Sequence, residues 1–109
     1  MRKQHHPARD DIALPDVLYA LSDPTRLKVV RALAMTEEEL SCSCLGVDVA
    51  KSTLSHHAKV LRECGITYTR NEGTRSFLSL RRADLDARFP GLLDAIVQAS
   101  ESADKKRDD

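Results

Sequence analysis

The stretch "KSTLSHHAKVLRECGI", residues 51–66, decides the fold because it has the pattern of an amphipathic helix. At about 100° per residue, Leu54, Ala58 and Leu61 fall on one face and are predicted to be buried. The opposite face carries the polar residues Ser52, Ser55, His56, Lys59 and Glu63, with Arg62 at one edge. Hydroxyls, an imidazole and long cations can hydrogen-bond the base edges and phosphates of a DNA major groove. The alternative is that this is the polar face of any solvated helix.

The two adjacent histidines of this helix are predicted to have different roles. His56 belongs to the polar face and is expected to point outward, toward DNA. His57 lies about one turn from both Leu54 and Leu61, so it borders the buried face and is predicted to make a structural hydrogen bond between packed helices. Ser52 is the expected N-cap of this helix.

A β-hairpin is predicted after this helix, which is expected to end at Gly65. The segment "ITYTRNEGTRSFLSL" contains two short strands around a turn at residues 71–73. Arg70 and Arg75 flank that turn, so both guanidinium groups are predicted to project near its tip, within reach of a minor groove or its phosphates. The alternative is a surface hairpin with solvated charges.

Two helices are predicted before the quoted stretch. Apolar residues recur at helical spacing over residues 12–22. Asp23 and Pro24 are typical of an N-cap followed by the first helical position. The helix that they begin is predicted to run to about Met35.

The order of elements indicates the fold class. The segment "TEEEL", residues 36–40, is typical of a helix N-terminus and predicts a short third helix. Residues 83–100 return to a helical pattern that is broken before Pro90. The sequence therefore predicts a mainly α-helical chain with a small β-hairpin, which is the order of elements in a winged helix-turn-helix. We expect a mobile arm over residues 1–11, the winged helix-turn-helix domain over residues 12–102, and a frayed polar tail over residues 103–109.

The net charge is zero, but the charges are segregated along the chain. Residues 51–82 carry 7 basic and 2 acidic side chains, whereas residues 1–50 have a net charge of −2 and residues 83–109 a net charge of −3. This basic middle predicts one surface that faces a polyanion on an otherwise neutral body.

Composition and motifs narrow the class of protein. No apolar run approaches the roughly 20 residues needed to span a bilayer, and no signal peptide pattern is present, so we expect a cytoplasmic protein without a membrane partner. Neither a glycine-rich loop nor a paired-carboxylate motif is present, so we expect no catalytic residues and no enzymatic activity. A winged helix that only binds other proteins is the remaining alternative, although it would need neither the basic stretch nor an arginine-flanked turn.

Three segments together resemble the ArsR/SmtB family of bacterial winged helix-turn-helix repressors: "LSDPTRLKVVRAL", "STLSHHAKVLRECGI" and "RNEGTRSFLSL". The pair Ser55 and His57, followed by "LRECGI", is particularly typical, and the resemblance covers roughly residues 12–98. It implies a homodimeric transcriptional regulator, a repressor, that binds an imperfect inverted repeat in double-stranded DNA and is released by a chemical signal. The residues predicted to contact DNA are Lys51, Ser52, Thr53, Ser55, His56, Lys59, Arg62, Arg70 and Arg75.

The resemblance also implies that the first and last helices form the dimer interface. Two apolar stripes agree with this, because they otherwise have little to pack on, and a two-fold dimer matches a two-fold operator. The predicted interface residues are Ile12, Leu14, Val17, Leu18, Leu21, Leu92, Leu93, Ile96 and Val97.

Three cysteines are the candidates for sensing the signal. One family site lies on the last helix and needs Asp and His pairs, but no histidine follows His57. Another uses the segment Glu-Leu-Cys-Val-Cys-Asp-Leu, and "ELSCSCL" with Cys42 and Cys44 is similar, although its first cysteine lies one residue later and its link to the recognition helix is about two residues shorter.

Side chains at positions i and i+2 of a helix point apart, so Cys42 and Cys44 can share one ion only where the backbone is irregular. Cys64, at the end of the quoted helix, is the third candidate. Three thiolates would suit arsenite or another soft metal ion, and two could form a regulatory disulfide. The alternative is that the cysteines are small hydrophobic packing residues.

Overall fold

The computed structural model describes the backbone of residues 5–108 and the side chains of residues 5–103. Residues 1–4 of the predicted arm and residue 109 of the predicted tail lie outside the described residues. The helices within this range are α1 (Leu14–Ala20), α2 (Pro24–Ala34), α3 (Lys51–Glu63), α4 (Arg82–Arg88) and α5 (Leu92–Asp108). The strands are β1 (Leu40–Ser41), β2 (Thr67–Glu72) and β3 (Arg75–Leu80), and short 3-10 turns cover Arg9–Asp11 and Cys42–Cys44.

The start of α2 and the end of α3 follow their local sequence signals. The Asp23 carboxylate accepts hydrogen bonds from the backbone amides of Thr25 and Arg26 at 2.9 and 3.0 Å, which confirms the predicted N-cap. Gly65 follows α3 with φ of +86°, and a Cβ atom there would lie 2.6 Å from the Ile12 side chain. Only glycine fits this turn, because the left-handed backbone and the contact with Ile12 both disfavour a side chain.

The predicted start of α3 was wrong. Ser52 lies inside the helix, and Ala50 is its N-cap, with an extended backbone and a carbonyl that accepts the first helical hydrogen bond from Leu54 at 2.9 Å. Ala50 makes no side-chain capping hydrogen bond. The backbone geometry of Ala50 therefore outweighs the general preference for serine at an N-cap.

The predicted third helix is also wrong. Leu40 and Ser41 pair antiparallel with Leu78 and Phe77 as strand β1, and a single 3-10 turn follows. Serine and cysteine are indifferent helix formers, so the local sequence does not resist this pairing. Backbone hydrogen bonds to β3 replace those that a helix would have made.

The predicted hairpin is confirmed and becomes part of a three-stranded antiparallel sheet in the order β1-β3-β2. Glu72 pairs with Arg75 across the tip, where Gly73 has φ of +62°. This hairpin is hereafter called the wing. The core lies between the inner face of the sheet, which includes Leu78, and the helices, which supply Val30, Leu33 and Leu61 among other buried residues. The break before Pro90 separates α4 from α5, as predicted.

Candidate nucleic-acid interface

Helix α3 has one buried and one exposed side. His57, Val60 and Leu61 are buried against the rest of the chain. The side chains predicted to read DNA from this helix are exposed in solvent: Lys51, Ser52, Thr53, Ser55, His56 and Lys59. Ser52, Ser55, His56 and Lys59 therefore share one open side of the helix, as the periodicity predicted, whereas Lys51 and Thr53 are exposed in its first turn.

Arg62 differs from this group because it is only half-exposed. Its Nε donates a hydrogen bond to the backbone carbonyl of His5 at 3.2 Å. His6 Nε2, in the same segment, accepts a hydrogen bond from the Thr69 amide at 3.0 Å, and Arg9 forms an ion pair with Asp84 at 2.7 Å. The described part of the N-terminal segment thus lies against α3, the wing and α4.

The inner side of α3 is fixed by a buried arginine that the sequence analysis missed. Arg26 is only 6% exposed, and its guanidinium donates to the carbonyls of Ala20 at 2.7 Å and Tyr19 at 3.3 Å. Its Nη1 lies 3.2 Å from His57 Nδ1. A guanidinium has no lone pair to accept a hydrogen bond, so His57 Nδ1 must be the acceptor.

This contact determines the tautomer of the neutral His57 ring. Since Nδ1 accepts, the ring proton of the neutral imidazole is on Nε2, which faces the Asp23 carboxylate at 3.8 Å. His57 is 9% exposed, so its predicted structural role is confirmed. Arg26 links the C-terminal end of α1 to α2 and α3, and an arginine three residues after the Asp23 cap is the only sequence signal that pointed to it.

The two wing arginines lie in different electrostatic surroundings. The Arg70 guanidinium forms ion pairs with Glu39 and, at 2.8 Å, with Glu72. The hydrogen bonds from Arg70 lower the pKa of the Glu39 carboxyl, and the two carboxylates raise the pKa of Arg70. Arg70 therefore lies at the wing, as predicted, but with its charge compensated.

Arg75 forms no ion pair within the described part of the chain. Its guanidinium carbon lies 5.0 Å from the centre of the Phe77 ring, compared with 4.5 Å for Arg70 on the same ring. Arg75 is exposed at the wing tip and carries an uncompensated positive charge there.

The three cysteines are free thiols in different environments. No group of three or more His, Cys, Asp or Glu side chains is placed to hold a metal ion among the described residues, so the structure does not bring the three thiols into one site. Cys44 is exposed, and hydrogen bonds from the hydroxyls of Ser41 and Ser43 lower its pKa. Burial raises the pKa of the half-buried Cys42 and Cys64.

The residues predicted to form a dimer interface divide into two groups. Those that lie within the core of this single chain are Ile12, Val17, Leu21 and Leu93. Those that reach the surface are Leu14, Leu18, Leu92, Ile96 and Val97. Leu18 is 49% exposed, and its neighbour Tyr19, which the sequence analysis left out, is 59% exposed.

Helices α2 and α3, the segment between them that contains β1 and a 3-10 turn, and the wing define a winged helix-turn-helix. The family described as "Bacterial regulatory protein, arsR family" matches residues 23–68, which run from the N-cap of α2 into the wing. Among residues 5–108, no helix has the length and apolar character needed to cross a membrane.

Comparison with known proteins gives the same result. The chain is 37% identical over 89 residues to the uncharacterized HTH-type transcriptional regulator YceK of Bacillus subtilis. The aligned region covers 80% of this chain and 89% of that protein. It is 38% identical over 72 residues to the putative arsenical resistance operon repressor ArsR of Halobacterium salinarum, covering 62% of this chain and 55% of that protein. It is 35% identical over 65 residues to the cadmium resistance transcriptional regulatory protein CadC homolog of Staphylococcus aureus, covering 59% of this chain and 54% of that protein.

The chain belongs to the ArsR family of bacterial regulatory proteins. It is a DNA-binding transcriptional regulator of the helix-turn-helix type and not an enzyme, because its relatives are transcriptional regulators. The predictions of family, winged-helix fold and regulator function are confirmed.

Proposed function

We propose that this regulator is a homodimeric repressor that reads its operator with the exposed side of α3. Ser55 and His56 contact base edges, while Lys51, Lys59 and Arg75 contact phosphates. The observation that carries the proposal is that this side of α3 is fully polar and open, whereas its inner side is fixed to α1 and α2 through Arg26 and His57. A helix held in this way presents its side chains to the groove in one orientation, which base readout requires.

The dimer is proposed to form through α1 and α5. Leu14 and Leu18 are exposed on α1, and Ile96 and Val97 are half-buried on α5, so both helices keep apolar surface outside the core. A two-fold pair would bury this surface and present two copies of α3 to an imperfect inverted repeat. Ile12, Val17, Leu21 and Leu93 are left out of this proposal because they are already buried within one chain.

The signal is proposed to act through the cysteines. The names of two relatives refer to arsenical and cadmium resistance, and soft ions of that class prefer thiolate ligands. Cys44 would react first, because it is exposed and its pKa is lowered, whereas burial raises the pKa of Cys42 and Cys64. Arsenite, another soft ion or a regulatory disulfide would each need a second thiol, supplied by local rearrangement or by a second chain.

The base-readout proposal is tested with a promoter fragment and a random-sequence duplex of the same length. Ser55→Ala and His56→Ala should weaken promoter binding more than random-duplex binding. Lys59→Gln, which removes a phosphate contact, should weaken both equally and lower the salt dependence. Equal losses on the two duplexes for all three variants would contradict base readout by α3.

The sensing proposal is tested on the same promoter complex. Arsenite, zinc and peroxide are added in turn to the wild type and to a variant with Cys42, Cys44 and Cys64 all replaced by serine. Release of the wild type but not of the variant would support a thiol sensor, and the effective agent would identify its chemistry. Persistence of the wild-type complex under all three treatments would contradict it and leave the cysteines as packing residues.

A further inference from the structure

A cleft of about 270 Å³ lies between three separate parts of the fold. The turn after β1 contributes Ser43, the first turns of α3 contribute Lys51 and Ser55, and the tip of the wing contributes Thr74 and Arg75. The pairing of β1 with β3 places the turn after β1 beside the wing. The strand and turn that lie where the sequence predicted a third helix therefore form one wall of the cleft.

The lining of this cleft is cationic and rich in hydroxyl groups. Lys51 and Arg75 supply two positive charges, and none of the described residues that line the cleft carries a carboxylate. Neither cation forms an ion pair within the described residues. The carboxylates of Glu39 and Glu72 both bind Arg70.

Helix α3 adds to the positive potential at this point. It is 13 residues long, it begins at Lys51 in the wall of the cleft, and its N-cap residue Ala50 makes no side-chain hydrogen bond to its first amides. The N-terminal end of a helix carries a partial positive charge, which favours an anion nearby. Two cations and several hydroxyl donors suit a tetrahedral oxyanion, whose oxygens accept several hydrogen bonds at once.

We propose that this cleft binds one phosphate group, through Lys51 and Arg75 with hydroxyl donors from Ser43 and Thr74. The phosphate belongs either to the DNA backbone, held between α3 and the wing, or to a free oxyanion such as inorganic phosphate. The DNA form deepens the function proposed above and rests on it. Ser43 and Thr74 are new DNA-contacting residues in this form, and neither is on the polar face of α3.

The first arm of the test measures DNA binding by the full chain as a function of salt. Affinity for a random-sequence duplex is followed by fluorescence anisotropy over a series of KCl concentrations for Lys51→Gln, Arg75→Gln and Ser43→Ala. The matched control is Lys28→Gln, which removes one exposed charge from α2, away from the cleft. Loss of one phosphate contact should lower the slope of log affinity against log salt by about 0.9 in Lys51→Gln and Arg75→Gln but not in the control.

The second arm measures binding of inorganic phosphate without DNA. Backbone amide NMR shifts of Ser43 and Thr74 are followed as phosphate replaces chloride at constant ionic strength. Saturable shifts that disappear in Arg75→Gln but persist in Lys28→Gln would show that the cleft takes a free oxyanion. Thermal melts of each variant exclude unfolding as the cause.

The two arms distinguish results that contradict the phosphate-binding cleft from results that contradict the proposed function. A lower salt slope without phosphate shifts supports the DNA source, and phosphate shifts without a slope change support the free anion. Phosphate shifts in a wild type that binds no DNA would support the cleft and contradict the proposed function. DNA binding in which Lys51→Gln and Arg75→Gln match the control, with no phosphate shifts, would overturn the cleft and the phosphate contacts of these two residues, and would leave base readout by Ser55 and His56 intact.

Discussion

The inner and outer sides of α3 differ most clearly at two neighbouring histidines. His56 is exposed among hydroxyls and cations, whereas His57 is 9% exposed and accepts a hydrogen bond from a buried arginine. The two residues are chemically identical and adjacent, so the difference arises from their angular position on the helix. It separates two roles: the inner side fixes the orientation of α3, and the outer side is free to recognise a ligand.

The largest effect is expected at the inner side. His57→Ala leaves the Arg26 guanidinium without one acceptor, and loss of a hydrogen bond to a buried charged group should lower the free energy of unfolding by roughly 2 kcal/mol. His57→Asn is the matched control, because its Oδ1 can take the place of Nδ1 and restore most of the stability. Urea unfolding measures both variants, and equal losses would mean that packing matters at this position and the hydrogen bond does not.

A smaller loss of stability is expected at the cap of α2. Asp23→Ala removes the acceptor for the amides of Thr25 and Arg26, which should cost about 1 kcal/mol. The hydrogen bond from the Arg26 amide contributes most to lowering the Asp23 pKa, so the charged form is favoured in the folded state.

The same carboxylate makes the stability difference between wild type and Asp23→Ala depend on pH. Because the folded pKa of Asp23 is below that of the unfolded chain, about 3.9, the unfolded state binds more protons between the two values. The stabilisation is therefore complete above the pKa of the unfolded chain and is lost as the pH falls through the folded pKa. The stability difference between wild type and Asp23→Ala should shrink below about pH 4. Asp23→Asn keeps an uncharged acceptor, so the contribution of its cap to stability should not be lost as the pH falls. A difference that is constant down to pH 2 would contradict this role of the charge.

The outer side should show the opposite behaviour. His56→Ala is expected to leave urea unfolding unchanged, because the side chain is exposed. It should lower the preference for promoter over random DNA by about 5-fold, equivalent to loss of one hydrogen bond of about 1 kcal/mol. A stability loss comparable to that of His57→Ala would remove the distinction between the two sides.

The smallest effect is expected at the wing. Glu39→Gln removes one of the two carboxylates that bind Arg70 and frees part of its charge, so affinity for random DNA should rise about 2-fold with a steeper salt dependence. Glu38→Gln changes the same charge on a neighbouring exposed residue and serves as the control. An equal rise in both variants would mean that overall charge is responsible and the ion pair is not.

Local signals in the sequence predicted much of this fold. The Asp23 cap, the glycine turn after α3, the polar face of α3 and the wing each depend on residues within a few positions of one another. The predicted third helix failed, because whether residues 36–44 form a helix depends on a strand more than thirty positions away. The predicted dimer interface overlapped the core, since a periodic apolar stripe does not indicate which of its members face the same chain.

The sequence by itself determined that an amphipathic helix with an exposed polar side precedes a basic hairpin, because periodicity and turn residues act over short distances. Only the tertiary structure decided which of the charges remain available to a ligand. The Arg26–His57 and Arg70–Glu39 contacts each join residues 31 positions apart, and the cleft of Lys51 and Arg75 joins three segments. An arginine attracts an anion only where no carboxylate already neutralises it, and that depends on which distant side chains the fold brings beside it.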